Sequence, residues 1–368
     1  MKRVGVIVNP VAGMGGAIGL KGTDGPDALQ RALSLGAKNV SFGRASEFLR
    51  SFGSVAKSID FLTCPGMMGE EIFKDVEVAC NVIPGRSGTT DAGDTKRAAR
   101  RMEESAADML VFCGGDGTAR DVLDAIGERM PALGVPSGVK MHSGVFAVNP
   151  RAAANIVMRF LWGELPLRQG EVADVDEEAF RSGRVSSRLY GYLLTPYEPA
   201  AIQGIKTPTP LGDDVNENKA ALARWIAENM VDGTVYILGP GSTVKAINDL
   251  LGLDSTLLGV DLVQDHRLIG SDASEEDILK AVSGRRAEII VSPIGGQGFI
   301  FGRGNQQISA RVLRIVGKQS VTVISTREKI EGMSVLRVDT GDAELDEGFK
   351  GHLKVLIDYG LFEMIRVD

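Results

Sequence analysis

A short glycine-rich segment holds the residues of this chain that are best suited to chemistry. It reads G-G-D-G-T at residues 114–118, after an apolar run from Met109 to Cys113 and before an apolar stripe at helical spacing. A strand, a glycine turn and a helix start direct backbone N–H groups at one spot, where a phosphate binds well. Glycine suits this turn because it adopts positive φ angles and lets a ligand approach the backbone closely.

Asp116 is the unusual residue of this turn. A carboxylate among phosphate-binding amides repels a phosphate unless it holds a metal ion or takes up a proton. The combination favours phosphoryl transfer over passive nucleotide binding. The alternative is a tight turn in an ordinary α/β protein, since Asp-Gly is common turn chemistry and a short motif alone does not decide.

The elements that must position this turn alternate between strand and helix. This alternation predicts an open, mostly parallel, Rossmann-like α/β sheet with helices on both faces. In such a sheet, ligands bind beyond the carboxyl ends of the strands, where the glycine-rich loops of this chain fall. We predict strands over residues 3–9, 59–63, 76–83, 109–113 and 132–135.

Two other segments follow strands of this sheet. Asn9 begins a glycine-rich loop that either shapes a ligand pocket or is merely flexible. The loop fails the dinucleotide-binding fingerprint, because Ile18 stands where a third glycine or alanine is required. Thr89 and Thr90 precede an amphipathic helix, so they are either ordinary N-caps or hydroxyl donors to a phosphate, and we favour the donors.

The second part of the chain has two further glycine-rich corners. One follows a strand pattern at 235–238 and contains Gly241, Ser242 and Thr243. The other spans residues 292–305 and places Arg303 and Asn305 near an expected ligand surface. At 368 residues the chain predicts two domains. We assign residues 1–141 to the first and 142–368 to a mixed α/β or β-rich second, with its last strands able to return to the first.

The bulk composition limits the class of protein. A net charge of −7 and a pI near 5.3 argue against nucleic acid or an anionic membrane as partner. Three scattered cysteines (Cys64, Cys80 and Cys113) predict reduced thiols rather than disulfides or a metal site. The N-terminal residues form a strand pattern instead of a signal peptide, and no apolar run approaches the ~18–20 residues of a membrane span. We therefore expect a cytoplasmic protein.

Three ordered motifs resemble the ATP-NAD kinase family, the AcoX-like branch of the NAD kinase/diacylglycerol kinase superfamily. They are G-G-D-G-T-A-R-D-V at 114–122, G-V-K-M-H-S-G-V-F-A at 138–147 and S-P-I-G-G-Q-G-F-I-F-G-R-G-N-Q-Q-I-S at 292–309. Asp232-Gly233, followed by a strand and Gly241-Ser242-Thr243, is similar to the D-G to G-S-T segment of NAD kinases. The Asn9-Pro10 pair and the segment around Thr90 are more similar to the lipid-kinase branch.

The resemblance implies a reaction and its participants. The reaction is transfer of the γ-phosphoryl group of ATP, or of polyphosphate, to the 2′-hydroxyl of NAD with Mg²⁺ as cofactor. Asp116 is then the catalytic residue, which either accepts the hydroxyl proton or anchors Mg²⁺. The resemblance implies two sets of binding residues: Gly114, Gly115, Gly117, Thr118, Thr89, Thr90 and Asn9 for the nucleotide phosphates, and Gly241, Ser242, Thr243, Arg303 and Asn305 for the substrate.

Two alternatives stay open. One is a kinase for another small hydroxylated metabolite or lipid on the same scaffold. The other is a non-catalytic nucleotide-binding regulator, which gains weight because the Asn-Glu pair that holds the ribose in NAD kinases has no clear counterpart. A P-loop kinase is excluded, because G-x-x-x-x-G-K-[ST] is absent from the sequence. We expect small-molecule partners and a homo-oligomer.

Overall fold

The chain folds into two compact units, the main parts of which meet in sequence at Ile205 and Lys206. The computed structural model of the protein describes residues 2–14, 34, 39–86, 88, 90–137, 141–175, 187–198, 202, 213–294, 297–331, 333 and 335–368. Thr89 lies outside the part that is described.

The first unit is built on a parallel sheet of five strands in the order β3-β2-β1-β4-β5. Its central strands are almost entirely apolar and buried on both faces, as expected when helices cover both sides. The strands are β1 (Lys2–Val8), β2 (Ile59–Thr63), β3 (Asn81–Val82), β4 (Met109–Gly114) and β5 (Ala132–Pro136).

Helices cover both faces of this sheet and create two apolar cores. Residues of α1 and α5 pack in one core, and residues of α3 and α4 pack in the other. The helices are α1 (Val40–Arg50), α2 (Glu70–Asp75), α3 (Ala92–Glu104), α4 (Asp116–Ile126) and α5 (Pro150–Leu161), with short 3-10 turns at Gly53–Ser58 and Gly66–Met68. This arrangement confirms the predicted α/β class and the parallel N-terminal sheet.

Two details of the first unit differ from the sequence prediction. The strand predicted at 76–83 shrinks to Asn81–Val82, because Val76 ends α2 and Glu77 adopts a positive φ of 56°. An antiparallel hairpin, β6 (Leu167–Val175) and β7 (Ser187–Pro196), also clusters with this unit. Its fully buried residues Val172 and Leu193 pack in the core of α3 and α4. The compact units therefore part after the hairpin, whereas the sequence placed a domain boundary at residue 142.

The second unit has a mixed sheet of seven strands in the order β10-β9-β8-β11-β13-β15-β16. Its four central strands, β8, β11, β13 and β15, are parallel, and antiparallel strands complete both edges. The strands of this sheet are β8 (Val235–Leu238), β9 (Asp261–Gln264), β10 (Arg267–Gly270), β11 (Ala287–Val291), β13 (Val321–Ile324), β15 (Gly351–Asp358) and β16 (Leu361–Val367).

A parallel pair and several helices complete the second unit. The pair consists of β12 (Phe299–Phe301) and β14 (Arg337–Val338). The helices are α6 (Asp213–Glu228), α7 (Ser242–Leu250), α8 (Glu275–Val282), α9 (Ala310–Val316), α10 (Arg327–Glu331) and α11 (Ala343–Phe349), with a 3-10 turn at Lys318–Ser320. The unit is thus mixed α/β rather than β-rich, and the last two strands finish its own sheet.

Candidate functional site

The glycine turn connects β4 to α4 at the carboxyl edge of the first sheet. The helix begins at Asp116 without a side-chain cap, and its first backbone bond runs from the Ala119 N–H to the Gly115 carbonyl (3.0 Å). Within the described residues, no acceptor takes the N–H groups of Gly117 and Thr118. Two donors at a helix start are therefore available to an anion, as a phosphate site requires.

Positive φ angles do not explain the glycines in this turn. None of Gly114, Gly115 and Gly117 has a positive φ. Gly114 is required by packing, because a Cβ there would lie 2.4 Å from the Thr118 Oγ1. At Gly115 and Gly117 a Cβ would meet no atom within 4 Å. Open space therefore flanks these two glycines, and close approach of a ligand to the backbone is the remaining reason for them.

Asp116 is buried, with 6% of its surface exposed, and both of its carboxylate oxygens accept hydrogen bonds. The His142 N–H donates to Oδ2 at 2.7 Å. The Ser143 N–H donates to Oδ1 at 3.0 Å, and the Ser143 hydroxyl lies 2.6 Å from the same oxygen. These contacts fix the carboxylate in one orientation at the first turn of α4.

Burial dominates the acidity of this carboxyl group. It raises the pKa of Asp116 from 3.8 to about 7, although the three hydrogen bonds from Ser143 and His142 act in the opposite direction. The negative charge of Asp174 raises the Asp116 pKa further. A carboxyl group with a pKa near 7 can exchange a proton at neutral pH, which suits a general base.

Ser143 links the carboxylate to the hairpin. Its hydroxyl accepts a hydrogen bond from the Ala173 N–H at 3.1 Å and also lies 2.9 Å from the Ala173 carbonyl oxygen. The next residue, Asp174, pairs with Arg120 of α4 at 2.8 Å. Sequence reasoning gave no role to His142 or Ser143; the signal was the G-V-K-M-H-S-G-V-F-A motif at 138–147, which resembles the ATP-NAD kinase family.

Asn9 and Thr118, both predicted phosphate ligands, lie together. The Asn9 side-chain amide donates to the Thr118 hydroxyl at 2.9 Å, and the Asn9 N–H donates to the Cys113 carbonyl at 2.9 Å. The Asn9 Oδ1 in turn accepts from the Val11 N–H at 3.2 Å. The Thr118 side chain is buried, so its hydroxyl supports the loop after β1, and its backbone N–H is the group that is left for a ligand.

The N-cap of α3 is Asp91 rather than a threonine. Its carboxylate accepts from the Asp94 N–H, and the Asp94 carboxylate accepts from the Asp91 N–H, which forms a capping box. Thr90, which is partly buried, directly precedes this cap. The capping box therefore leaves the Thr90 hydroxyl unused in helix capping, and its role as a phosphate donor stays a prediction.

The second unit contains its own strand–glycine–helix corner. Gly241 adopts a φ of 116° just before α7, a conformation that favours glycine. Ser242 is exposed at the helix start, whereas Thr243 is buried. Their predicted contact with a nucleotide substrate stays a prediction.

Arg303 lies in a buried ion pair. Its Nε and Nη2 donate to the Asp339 Oδ2 at 3.1 and 2.8 Å, and both residues are 3% exposed. Asn305 donates its side-chain amide to the Ile300 carbonyl at 2.8 Å. Because the charge of Arg303 is already balanced, this geometry favours a role in holding the 302–305 loop over a role as a phosphate clamp.

Lys219 is a buried cation that sequence reasoning missed. It is 8% exposed on the face of α6 that also buries Leu222, Ala223 and Ile226, and burial lowers its pKa. The preceding residue, Asn218, donates to the Ile357 carbonyl at 2.9 Å, near the carboxyl end of β15. The signal in the sequence was a lysine at an apolar position of the helical stripe.

Candidate metal ligands are few. The residues that the structure describes contain no cluster of three histidine, cysteine or acidic side chains that could hold a metal ion. Mg²⁺ in phosphoryl transfer needs only one or two carboxylates besides the substrate phosphates. Asp116 is the carboxylate that the sequence offers for this role, but both of its oxygens already accept hydrogen bonds, and the nearby Asp174 pairs with Arg120. Among the described helices, none is both long and apolar enough to cross a membrane.

Comparison with solved structures finds a distant similarity over about half of the chain. Diacylglycerol kinase structures from Bacillus anthracis str. Sterne are similar to this chain at the level of 15–16% identity. The match to one of them covers 48% of this chain and 46% of the other chain, with a TM-score of 0.25. The match to a second, proposed diacylglycerol kinase covers 48% of this chain and 45% of the other chain, also with a TM-score of 0.25. The chain thus spans less than half the length of these structures. None of the curated proteins compared with the chain matches it.

Two family models match the chain itself. Residues 4–165 match the ATP-NAD kinase N-terminal domain, and residues 231–367 match the ATP-NAD kinase C-terminal domain. The two matches follow each other in order and take up most of the 368 residues. The chain therefore belongs to the ATP-NAD kinase family.

Proposed function

We propose that this protein, a kinase by its family, transfers the γ-phosphoryl group of ATP to the 2′-hydroxyl of NAD and so forms NADP. The observation that carries the proposal is the buried Asp116 carboxyl group, whose pKa is raised to about 7, at the open end of a glycine turn. A purely structural aspartate gains nothing from a pKa near neutrality, whereas a general base does.

The donor phosphates bind at the start of α4. The N–H groups of Gly117 and Thr118 donate to them, and the space beside Gly115 and Gly117 admits them close to the backbone. Mg²⁺, when bound, would neutralise charge on the donor phosphates. Asp116 accepts the proton in this proposal and therefore does not also hold the metal ion. Gly241, Ser242 and Thr243 contact the nucleotide substrate in this proposal.

The proposed reaction is a direct transfer. The acceptor hydroxyl gives its proton to Asp116 while its oxygen forms a bond to the γ-phosphorus. The bond between the γ-phosphorus and the bridging oxygen breaks, and ADP leaves with that oxygen. The contacts from His142 and Ser143 hold the carboxylate in place, so little reorganisation is needed when the proton moves.

A turnover assay with a panel of donors and acceptors tests the proposal. We expect NADP formation from ATP and NAD, and a loss of at least about a hundredfold for Asp116→Asn, the scale of general-base removal. Asp124→Asn is the matched control, because Asp124 lies on the same helix, is exposed and pairs with Lys96. An unchanged rate for Asp116→Asn would remove this residue from the chemistry.

The acceptor and donor panels separate the alternatives. A higher rate with another hydroxylated metabolite or lipid than with NAD would favour a kinase with a different acceptor. Calorimetric binding of NAD and ATP without product would favour a nucleotide-binding regulator. Polyphosphate in place of ATP tests the donor, and a higher rate with polyphosphate would overturn the choice of ATP.

A further inference from the structure

A separate cavity of about 310 Å³ lies beyond the carboxyl ends of β2 and β3 in the first unit. Cys64, Pro65 and Met68, which follow β2, form an apolar wall. Three arginines also line it: Arg86 follows β3, and Arg97 and Arg101 project from α3. The volume falls within the range of small-molecule pockets, which run from about 300 to 1,000 Å³.

The charge of this cavity is strongly positive. Asp94 is the one carboxylate in the lining, and it pairs with Arg97 at 2.5 Å while also accepting from the Asp91 N–H. Arg101 donates to the Pro84 carbonyl. Within the described part of the chain, neither Arg86 nor Arg101 forms an ion pair with a carboxylate, so two positive charges in the lining are not balanced.

The apolar wall adds no negative charge. Burial raises the pKa of the Cys64 thiol to about 12, and the nearby Asp94 charge acts in the same direction. The thiol is therefore neutral at physiological pH. Burial alone would also raise the pKa of Asp94, but the Arg97 hydrogen bond, the Asp91 N–H and the charges of Arg97 and Arg86 keep it below its usual value. Asp94 thus stays ionised and remains in its ion pair with Arg97.

We propose that this cavity binds a phosphate group of a small metabolite, at a second anion site distinct from the glycine turn. Arginine guanidinium groups bind phosphate through paired, charge-assisted hydrogen bonds, and Arg86 and Arg101 have the unbalanced charge to do so. The apolar wall contacts the uncharged part of the ligand. The inference goes beyond the proposed kinase function, in which none of the residues that line this cavity receives phosphate.

The sheet order separates the two sites. β2 and β4 flank β1, and neighbouring strands lie about 4.8 Å apart, so the ends of β2 and β4 are roughly 10 Å from each other. The phosphate in the cavity therefore comes either from the far part of a nucleotide that also occupies the turn or from a separate phosphate-bearing molecule. Both sources share the same recognition chemistry.

Calorimetry with inorganic phosphate, pyrophosphate, ATP and NAD tests the site on the full chain. We expect at least one probe to bind, and Arg86→Ala/Arg101→Ala to weaken that binding by about tenfold or more, the effect of losing a charge-assisted hydrogen bond. Arg100→Ala/Arg151→Ala is the matched control, because it removes two exposed arginines outside the cavity. It should change affinity by less than about twofold.

The outcomes distinguish the sources and the failure modes. Weaker binding of phosphate or pyrophosphate alone would assign a separate small-molecule site, and weaker binding of ATP or NAD would assign a nucleotide phosphate. No binding of any probe, or equal losses in both double variants, would overturn the inference. Arg86→Ala alone should also weaken binding, and it keeps the hydrogen bond from Arg101 to the Pro84 carbonyl, which the double variant removes. Asp116 does not line the cavity, so phosphate binding by the cavity and the proposed kinase reaction are tested separately.

Discussion

The Ser143 hydroxyl lies 2.6 Å from the Asp116 Oδ1, although 27 residues separate the two in the chain. This hydroxyl is fully buried and is also held by the backbone of Ala173 in β6. The contact therefore couples the start of α4 to the hairpin through one side chain. The hydrogen bond favours the ionised carboxylate and therefore lowers the pKa of Asp116, whereas burial raises it.

The pH dependence of turnover should report the Asp116 carboxyl group. A general base must be ionised, so kcat/KM, which reports the pKa of the free enzyme, should fall about tenfold per pH unit below about pH 7 and reach a plateau above it. Stopped-time assays of NADP formation between pH 5 and 9 measure this fall in rate. A plateau that extends down to about pH 5 would contradict the proposed base.

The raised pKa of Asp116 should also make the stability of the protein depend on pH. Between about pH 4 and pH 7 the folded protein binds a proton at Asp116 that the unfolded chain does not, so the free energy of unfolding should fall as the pH rises through this window. Chemical denaturation across this range measures the slope. Asp116→Asn should make the slope shallower, and an identical slope in the variant would show that other groups cause it.

Removal of the Ser143 hydroxyl should move the low-pH fall in activity to higher pH. The hydrogen bond lowers the pKa of Asp116, so Ser143→Ala should raise it and reduce kcat/KM at pH 7 by about tenfold, the effect of one bond to a charged group. Activity should recover at higher pH, which a merely structural defect would not allow. Ser46→Ala is the control, since the buried Ser46 hydroxyl has no hydrogen-bond partner in the described part of the chain.

Two glycine substitutions should separate packing from ligand approach. Gly114→Ala places a methyl group 2.4 Å from the Thr118 hydroxyl and should lower the free energy of unfolding by about 1–3 kcal/mol. Gly117→Ala meets no atom and lies in a helix, so it should keep or raise stability by up to about 1 kcal/mol. It should nevertheless weaken ATP binding, because the methyl group occupies the space left for phosphate. Unchanged ATP affinity in Gly117→Ala would contradict a phosphate site here.

Replacement of the buried Lys219 should stabilise the second unit. Burial lowers the pKa of this amine, so the folded state disfavours its charged form at neutral pH. Lys219→Met should therefore raise the free energy of unfolding by about 1 kcal/mol at pH 7. The gain should shrink as the pH approaches 10.5, where the unfolded amine also loses its proton. The exposed Lys280→Met serves as control, and a loss of stability in Lys219→Met would show that the ammonium group has a favourable partner.

The sequence determined the local structure of this protein to a large extent. Apolar runs, glycine breaks and the alternation of helix and strand predicted the parallel N-terminal sheet, whereas for the second domain the sequence predicted either a mixed α/β or a β-rich fold. The G-G-D-G-T segment also placed Asp116 between a buried strand and a helix start. These features were predictable because periodicity and turn chemistry act over a few residues.

Tertiary structure alone decided which distant groups meet. The partners of Asp116 come from residues 142 and 143, and Arg303 is neutralised by Asp339, 36 residues away. The burial of Val172 and Leu193 placed the hairpin in the first unit, and three separate segments created the arginine-lined cavity. No local pattern specifies such contacts, because they depend on how apolar faces pack and on which polar groups that packing removes from water.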